Sequence, residues 1–272
     1  MYGLPNDYLL TAKRITCTFF DPKGSTEKMQ VGNGTCFFVL NKNGKQCLVT
    51  NRHVLDIDFN KPTPEFRNFQ LTTISVQFKT KNKETDLPSI DTELFLFAPF
   101  DIKYSNNREN DIACIIDPQF RSVNGLETFT FDYSISYDMI AKQEDLNTKL
   151  TICDFVAFPG FPKWHDKKNN MPIIRVGTIA SDPRLDYSET NEDKGNKIAY
   201  EAFSSMGSSG SPVFAISKGI NISAPLQGGG FRPEMLVGIN AGHFDNVENI
   251  EKVHSGLSFF VKSSVLLEMI DQ

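Results

Sequence analysis

The apolar residues of this chain come in short runs, almost all five to eight residues long, each closed by turn-forming residues. Runs of that length suit strands and are too short for ordinary helices. They are rich in Ile, Val, Phe and Thr, and Phe occurs 23 times against a single Trp. That usage favours pleated, half-buried surfaces. Thr35–Leu40 and Gln46–Thr50 flank Asn41–Lys45, where Asn43-Gly44 is a hairpin signal. Further strand candidates are Thr73–Lys79, Glu93–Ala98, Asp111–Ile116, Thr151–Phe158, Ile173–Ala180, Lys197–Phe203, Pro212–Ile216, Met235–Ile239 and Gly256–Val261. A 3.6-residue period is sustained only in Ser263–Ile270. There Val265, Leu266, Met269 and Ile270 can share one helix face, and Ser263 or Ser264 can cap it. Many short strands with one terminal helix predict an all-β fold of barrels or a sandwich.

With 272 residues the chain makes one large domain or two small ones. The strand candidates fall into two groups of similar size. The polar stretch Arg121–Thr148 separates them and carries the charged run Lys142–Asp145, so a crossover is expected there. Asp182–Asn196 reads as a long mobile loop, and Phe59–Phe69 is another polar connection. The basic cluster Lys79–Lys83 reads as a solvated strand end, because no aromatic platform accompanies it.

Composition excludes several classes. Lys and Arg total 28 and Asp and Glu total 33, a formal net charge of −5. A nucleic-acid wrapper needs the opposite sign, so no nucleic-acid partner is expected. No segment approaches the ~18 apolar residues that span a membrane. The start MYGLPNDYLLTAKR lacks an apolar run after a basic opening, so no secretory signal is expected. Cys17, Cys36, Cys47, Cys114 and Cys153 are odd in number and form no CxxC pair. They are expected as reduced thiols, mostly buried in strands, with no metal site and no disulfide framework. Asn33-Gly-Thr and Asn221-Ile-Ser match the glycosylation pattern and are read as chance matches. These features together predict a cytoplasmic protein.

The most informative segment is Met206-Gly-Ser-Ser-Gly-Ser-Pro-Val-Phe214. It sets a serine between glycines just before an apolar strand. Gly207 permits an unusual φ and a close backbone approach. The N–H groups of Gly207 and Ser209 can then converge as an oxyanion hole. A serine hydroxyl needs a base, and the chain has four histidines: His53, His165, His243 and His254. His53 ends the apolar run that begins at Gln46, at a strand-to-turn junction. His165 lies in the polar stretch Pro162–Lys168, and His243 and His254 flank a polar loop. A carboxylate must fix the imidazole tautomer. Asp111 opens the apolar strand Asp-Ile-Ala-Cys-Ile-Ile116, whereas the alternatives Asp56, Asp58 and Asp101 begin no such strand.

Thr50-Asn-Arg-His-Val54, Asn110-Asp-Ile-Ala-Cys114 and Gly207-Ser-Ser-Gly-Ser-Pro212 together resemble the three signature blocks of chymotrypsin-like serine peptidases. They are most similar to the HtrA/V8-like bacterial branch. The order His, Asp, Ser fits that family and not subtilisins or α/β-hydrolases. Secondary matches are Gly32–Phe38, Phe158–Pro162, Arg175–Ser181, Val237–Asn240 and Ser255–Phe260, so the resemblance covers about residues 30–262. It implies two six-stranded antiparallel β-barrels and a C-terminal helix. The N-terminal barrel would span 1–120 with His53 and Asp111, the crossover 121–148, the C-terminal barrel 149–262 with Ser209, and the helix 263–272. Ser209 would be the nucleophile, His53 the base and Asp111 its orienting carboxylate. Gly207 and Ser209 would supply the oxyanion donors. Phe203, Ser204, Ser205, Met206, Asn240, Ala241 and Gly242 would line the substrate pocket. No cofactor is implied, and the partner is a protein or peptide substrate.

The departures carry information too. Ser208 stands where secreted relatives activated by propeptide removal carry a carboxylate, and Val54 where they often carry a disulfide-bonded cysteine. Phe203 stands where Lys/Arg-specific members have Asp, so the specificity is expected not to be trypsin-like. The PDZ domain usual in HtrA proteins is not expected. Two states stay open: a constitutively active peptidase, and one latent until a protein partner engages Asp182–Asn196 or His243–His254. A silent peptide-binding module and a non-peptide esterase are the alternative readings.

Overall fold

The computed structural model describes residues 4–23, 29–59, 64–82, 84–85, 87–122, 125–126, 131–219, 231–248 and 251–271. Asn221 lies outside them. A short 3-10 helix, Asn6–Thr11, leads into β1 (Lys13–Phe20), β2 (Met29–Leu40) and β3 (Gln46–Thr50). One helical turn, α1 (Arg52–Leu55), follows. Next come β4 (Gln70–Lys81), β5 (Pro88–Phe97), β6 (Ile102–Tyr104), β7 (Ala113–Ile116), β8 (Arg121–Ser122) and β9 (Gly125–Leu126). These nine strands form one ladder in the order β6-β7-β3-β2-β1-β4-β5-β8-β9. Helix α2 (Gln143–Lys149) precedes the remaining strands. These are β10 (Phe155–Gly160), β11 (Ile173–Ile179), β12 (Lys197–Glu201), β13 (Pro212–Ala215), β14 (Met235–Glu248) and β15 (Glu251–Lys262). They close a six-stranded antiparallel barrel, order β10-β11-β12-β15-β14-β13. Helix α3 (Ser263–Ile270) ends the fold. Among the described residues no helix is long and apolar enough to cross a membrane.

One closed barrel is therefore present. A second closed ring is not among the described pairings, and the first nine strands form an open ladder. Both flanks of that ladder nevertheless pack on a single core. Leu94 and Leu96 of β5 share it with Ala113 and Ile115 of β7, and with Ile15, Cys36, Phe38 and Leu48 between them. The sheet curls because its strands twist and its apolar face must be covered.

The unbroken apolar run Thr35–Val39 has a physical reason. Cys36 and Phe38 face the core inside the first sheet. Phe37 and Val39 face a second cluster with Val49, Ile112, Phe214, Leu236, Ile239 and Val261. A strand buried on both faces loses the usual alternation. Val265, Leu266, Met269 and Ile270 of α3 join this second cluster, so the terminal helix presents the face expected of it. Neither serine caps α3. Ser263 Oγ donates to Ala141 O at 2.7 Å and Ser264 Oγ to Gln143 Oε1 at 2.9 Å.

The Asn43-Gly44 hairpin forms. Gly44 has φ +74°, and Asn41 Oδ1 accepts the N–H groups of Asn43 and Lys45, both at 3.0 Å. All five cysteines are free; four are buried and Cys153 is exposed. Burial pushes the Cys47 thiol up to about 11 and Cys114 up to about 12, which leaves them unreactive near neutrality.

Candidate active site

The site is assembled where the second cluster presses the curled sheet onto the barrel. His53 sits in α1, directly after β3. Asp111 stands just before β7, and β7 pairs with β3 through Thr50↔Ala113. That register sets the carboxylate beside the imidazole. His53 Nδ1 lies 2.5 Å from Asp111 Oδ2, and the His53 backbone N–H donates to Asp111 Oδ1 at 2.9 Å. A carboxylate only accepts, so Nδ1 carries the proton and Nε2 presents its lone pair. The Asp111 side chain is 10% exposed and His53 26%. Asn51 Nδ2 donates to Asp111 O at 2.6 Å and fixes the strand entry. Arg52 stacks over the rings of Phe59 and Tyr104 and pairs with Asp56 at 3.2 Å, which holds α1. Of the alternative carboxylates, Asp56 thus serves Arg52.

The Ser209 turn arrives from the barrel and is held by residues of both halves. Gly207 has φ +92° and Gly210 φ +85°. Ser208 N–H donates to Ser205 O, Gly210 N–H to Asn240 O and Ser211 N–H to Ser208 O, at 2.9, 3.0 and 3.1 Å. The N–H groups of Gly207 and Ser209 donate to no group among the described residues. The pattern leaves free the two amides expected to bind an oxyanion and uses the others to fix the turn. Ser209 itself is half-buried. No hydrogen bond joins its hydroxyl to the His53 ring among the described contacts.

Thr35 is the hub that sequence reasoning missed. Its N–H donates to Ser209 O at 2.9 Å, and its carbonyl accepts from Thr50 Oγ1 at 2.8 Å. Its Oγ1 donates to Gly207 O at 2.7 Å and accepts the Phe161 N–H at 3.0 Å. Through its main chain and its side chain, buried Thr35 thus ties β2, the β3 end before His53 and the Ser209 turn. The Gly32–Phe38 match was its only sequence signal.

The expected pocket is partly rearranged. A cleft of about 670 Å³ opens beside the turn, lined by Phe203, Ser204, Ser205 and Met206 together with Trp164, Lys163, Arg175, Val176, His243 and His254. Asn240, Ala241 and Gly242 do not line it. Asn240 is 1% exposed and works inside the barrel. Its Nδ2 donates to Ser208 O at 2.9 Å, and its Oδ1 accepts from Tyr200 Oη at 2.7 Å. Arg175 donates to Phe203 O, and to Ser205 Oγ at 2.8 Å, with its guanidinium over Trp164. Desolvation lowers its pKa, and no described carboxylate lies within ion-pair distance of it. His243 and His254 stack with centroids 4.4 Å apart. They belong to β14 and β15, so the stretch read as a polar loop is mainly a long hairpin, with Asp245 opposite His254. His165 lies apart, its Nδ1 2.8 Å from Pro162 O. Among the described residues no group of three or more His, Cys, Asp and Glu could hold a metal ion.

No protein-family model matches the chain, and a search of curated proteins returns no match.

Proposed function

We propose that this chain is a serine endopeptidase of the chymotrypsin-like type, with Ser209 as nucleophile, His53 as general base and Asp111 as the carboxylate that orients it. On this reading the curled sheet and the closed barrel are the two barrels of that fold. The observation that carries the reading is the joint placement of the His53–Asp111 pair with a serine turn whose Gly207 and Ser209 amides donate to no described group. Ser209 Oγ attacks a carbonyl, His53 Nε2 takes its proton and then protonates the leaving amine, and the two amides bind the tetrahedral oxyanion. Water hydrolyses the acyl-enzyme by the same steps reversed. Thr35 and Asn240 order the turn, which supports a ready oxyanion hole. A peptide substrate is supported by β14. Among the described residues its ladder with β13 ends at Ile239, so an extended chain can add to the strand where that ladder stops, next to the Ser209 turn.

The test is a fluorophosphonate probe. The expected adduct maps by mass spectrometry to Ser209, together with turnover of unstructured protein. A folded, unlabelled protein overturns the reading. The second reading, a silent peptide-binding module, predicts peptide binding without labelling.

The cleft also makes a statement about specificity. Its Lys163 and Arg175 are cationic, and none of its described lining residues is acidic. Like charge disfavours a Lys or Arg side chain there. In matched peptides, Glu before the cut is expected to exceed Lys by at least about 10-fold in kcat/KM, a difference of about 1.4 kcal/mol. Arg175→Leu is expected to narrow the ratio. Equal rates with Lys and Glu would remove Arg175 from this role.

A further inference from the structure

The Asp182–Asn196 segment, expected to be a mobile loop, is tied down at its centre and its end. Lys262 leaves the barrel with a side chain 2% exposed, and its Nζ pairs with Asp186 Oδ1 at 2.8 Å. The same Nζ donates to Leu185 O at 3.0 Å. Asp186 Oδ2 accepts from Asn196 Nδ2 at 3.1 Å. Asn196 then forms a reciprocal clasp with Asn110. Asn110 Nδ2 donates to Asn196 Oδ1 at 3.0 Å, and the Asn196 N–H donates to Asn110 Oδ1 at 2.8 Å. Asn107 Nδ2 adds a bond to Lys194 O at 2.8 Å, and Tyr187 packs its ring edge-on to Phe244 with centroids 5.6 Å apart.

Asn110 is the residue before Asp111. It is 2% exposed, and Asp111 is 7% exposed. The backbone between them is bent, because the Ile112 N–H donates to Asn110 O at 2.9 Å. The direction of the Asp111 carboxylate is therefore coupled to how Asn110 is held. Asn110 Nδ2 also donates to Ser105 Oγ at 3.2 Å. Both its Oδ1 and its Nδ2 engage Asn196, however, and leaving a buried amide under-paired costs about 1–3 kcal/mol, so Asn110 is drawn with Asn196. The chain Lys262–Asp186–Asn196–Asn110–Asp111–His53 is continuous, each link an ion pair, a hydrogen bond or a peptide bond.

We infer that the Asp182–Asn196 segment is a positioning device for the Asp111–His53 pair, acting through the Asn196–Asn110 clasp, and hence a point from which the site can be controlled. The inference rests on the peptidase reading only for its consequence on rate; the control of His53 geometry stands apart from it. Several residues of the segment face solvent, among them Arg184, Ser188, Thr190 and Lys194. A partner that draws the segment outward would pull at Asn196 and misalign the pair. Misplacement by about 1 Å can cost 10²-fold in rate.

The test reads the His53 tautomer from its imidazole ¹⁵N shifts at alkaline pH, with the signals assigned by their loss in His53→Gln. The wild type is expected to hold the Nδ1–H form. Asn196→Ala is expected to move the ring toward the Nε2–H form and to slow fluorophosphonate labelling by about 10-fold or more. The Asn110→Ala/Asn196→Ala pair is expected to be no slower than the worse single variant, because the two amides act as one unit. Unchanged ¹⁵N shifts in folded Asn196→Ala overturn the inference. Should that variant not fold, Asp186→Asn loosens the chain at its outer end and is expected to shift the tautomer in the same direction; no shift overturns the inference equally. A tautomer shift in Asn196→Ala together with a wild type that is never labelled overturns the peptidase reading and leaves the positioning role standing.

Discussion

Asp111→Asn is expected to lower peptide turnover about 10⁴-fold while leaving the protein folded. The geometry decides which way the new amide points. Asp111 Oδ1 accepts the His53 backbone N–H at 2.9 Å, and Oδ2 faces Nδ1 at 2.5 Å. In the asparagine variant the amide oxygen keeps the backbone N–H, since the NH₂ cannot accept it. The NH₂ then faces Nδ1 and donates to it. The imidazole proton is forced onto Nε2, where the base must be empty to take the proton of Ser209. The backbone link survives, so the fold has little reason to fail. A loss of about 10⁴ corresponds to about 5.5 kcal/mol of transition-state stabilisation. The measurement is kcat for one peptide in both proteins, with thermal unfolding as the control. A loss below 10-fold in a folded variant would remove Asp111 from the orienting role.

This variant also marks how much was legible in the sequence. Asp111 could be singled out because it opens an apolar run, and that run is β7 from Ala113 onward. The partnership with His53 was not derivable from composition or period, because it depends on the β3–β7 register. β1 is a different case: Ile15, Cys17 and Phe19 are buried and alternate with half-buried Arg14, Thr16 and Thr18, a period legible in the sequence although the strand was not singled out. Helix α2, by contrast, was hidden. Leu146 is its one buried residue, and Lys142–Asp145 reads as a charged run. Its start is set instead by the Lys142 N–H donating to Asp145 Oδ2 at 2.9 Å. Asn240 was expected at the pocket only through the family resemblance. Its amide instead braces that turn from within the barrel, and the wall falls to His243. Which side of a strand a residue faces follows from bulges, and β14 has two register shifts in this stretch.

The second large effect is expected at Gly207. Gly207→Ala should lower kcat by about 10²–10³-fold, with KM changed much less. Two independent features of the turn require glycine. Its φ is +92°, where an L side chain is strained. A Cβ built there would lie 2.3 Å from Phe161 O. That carbonyl belongs to a segment bound to Thr35 through the Phe161 N–H, so it cannot withdraw freely. The least costly escape is rotation of the peptide that carries the Gly207 N–H. That rotation turns the donor away from the oxyanion, which has no charge to stabilise until the transition state. The loss therefore falls on kcat. Gly44→Ala is the matched control. Gly44 also has positive φ, +74°, but its Cβ would meet nothing within 4 Å. It should lose about 1 kcal/mol of stability and no activity. If Gly207→Ala lost only stability, as Gly44→Ala should, the Gly207 amide would not be an oxyanion donor and the hole would have to be built around Ser209 N–H and another group.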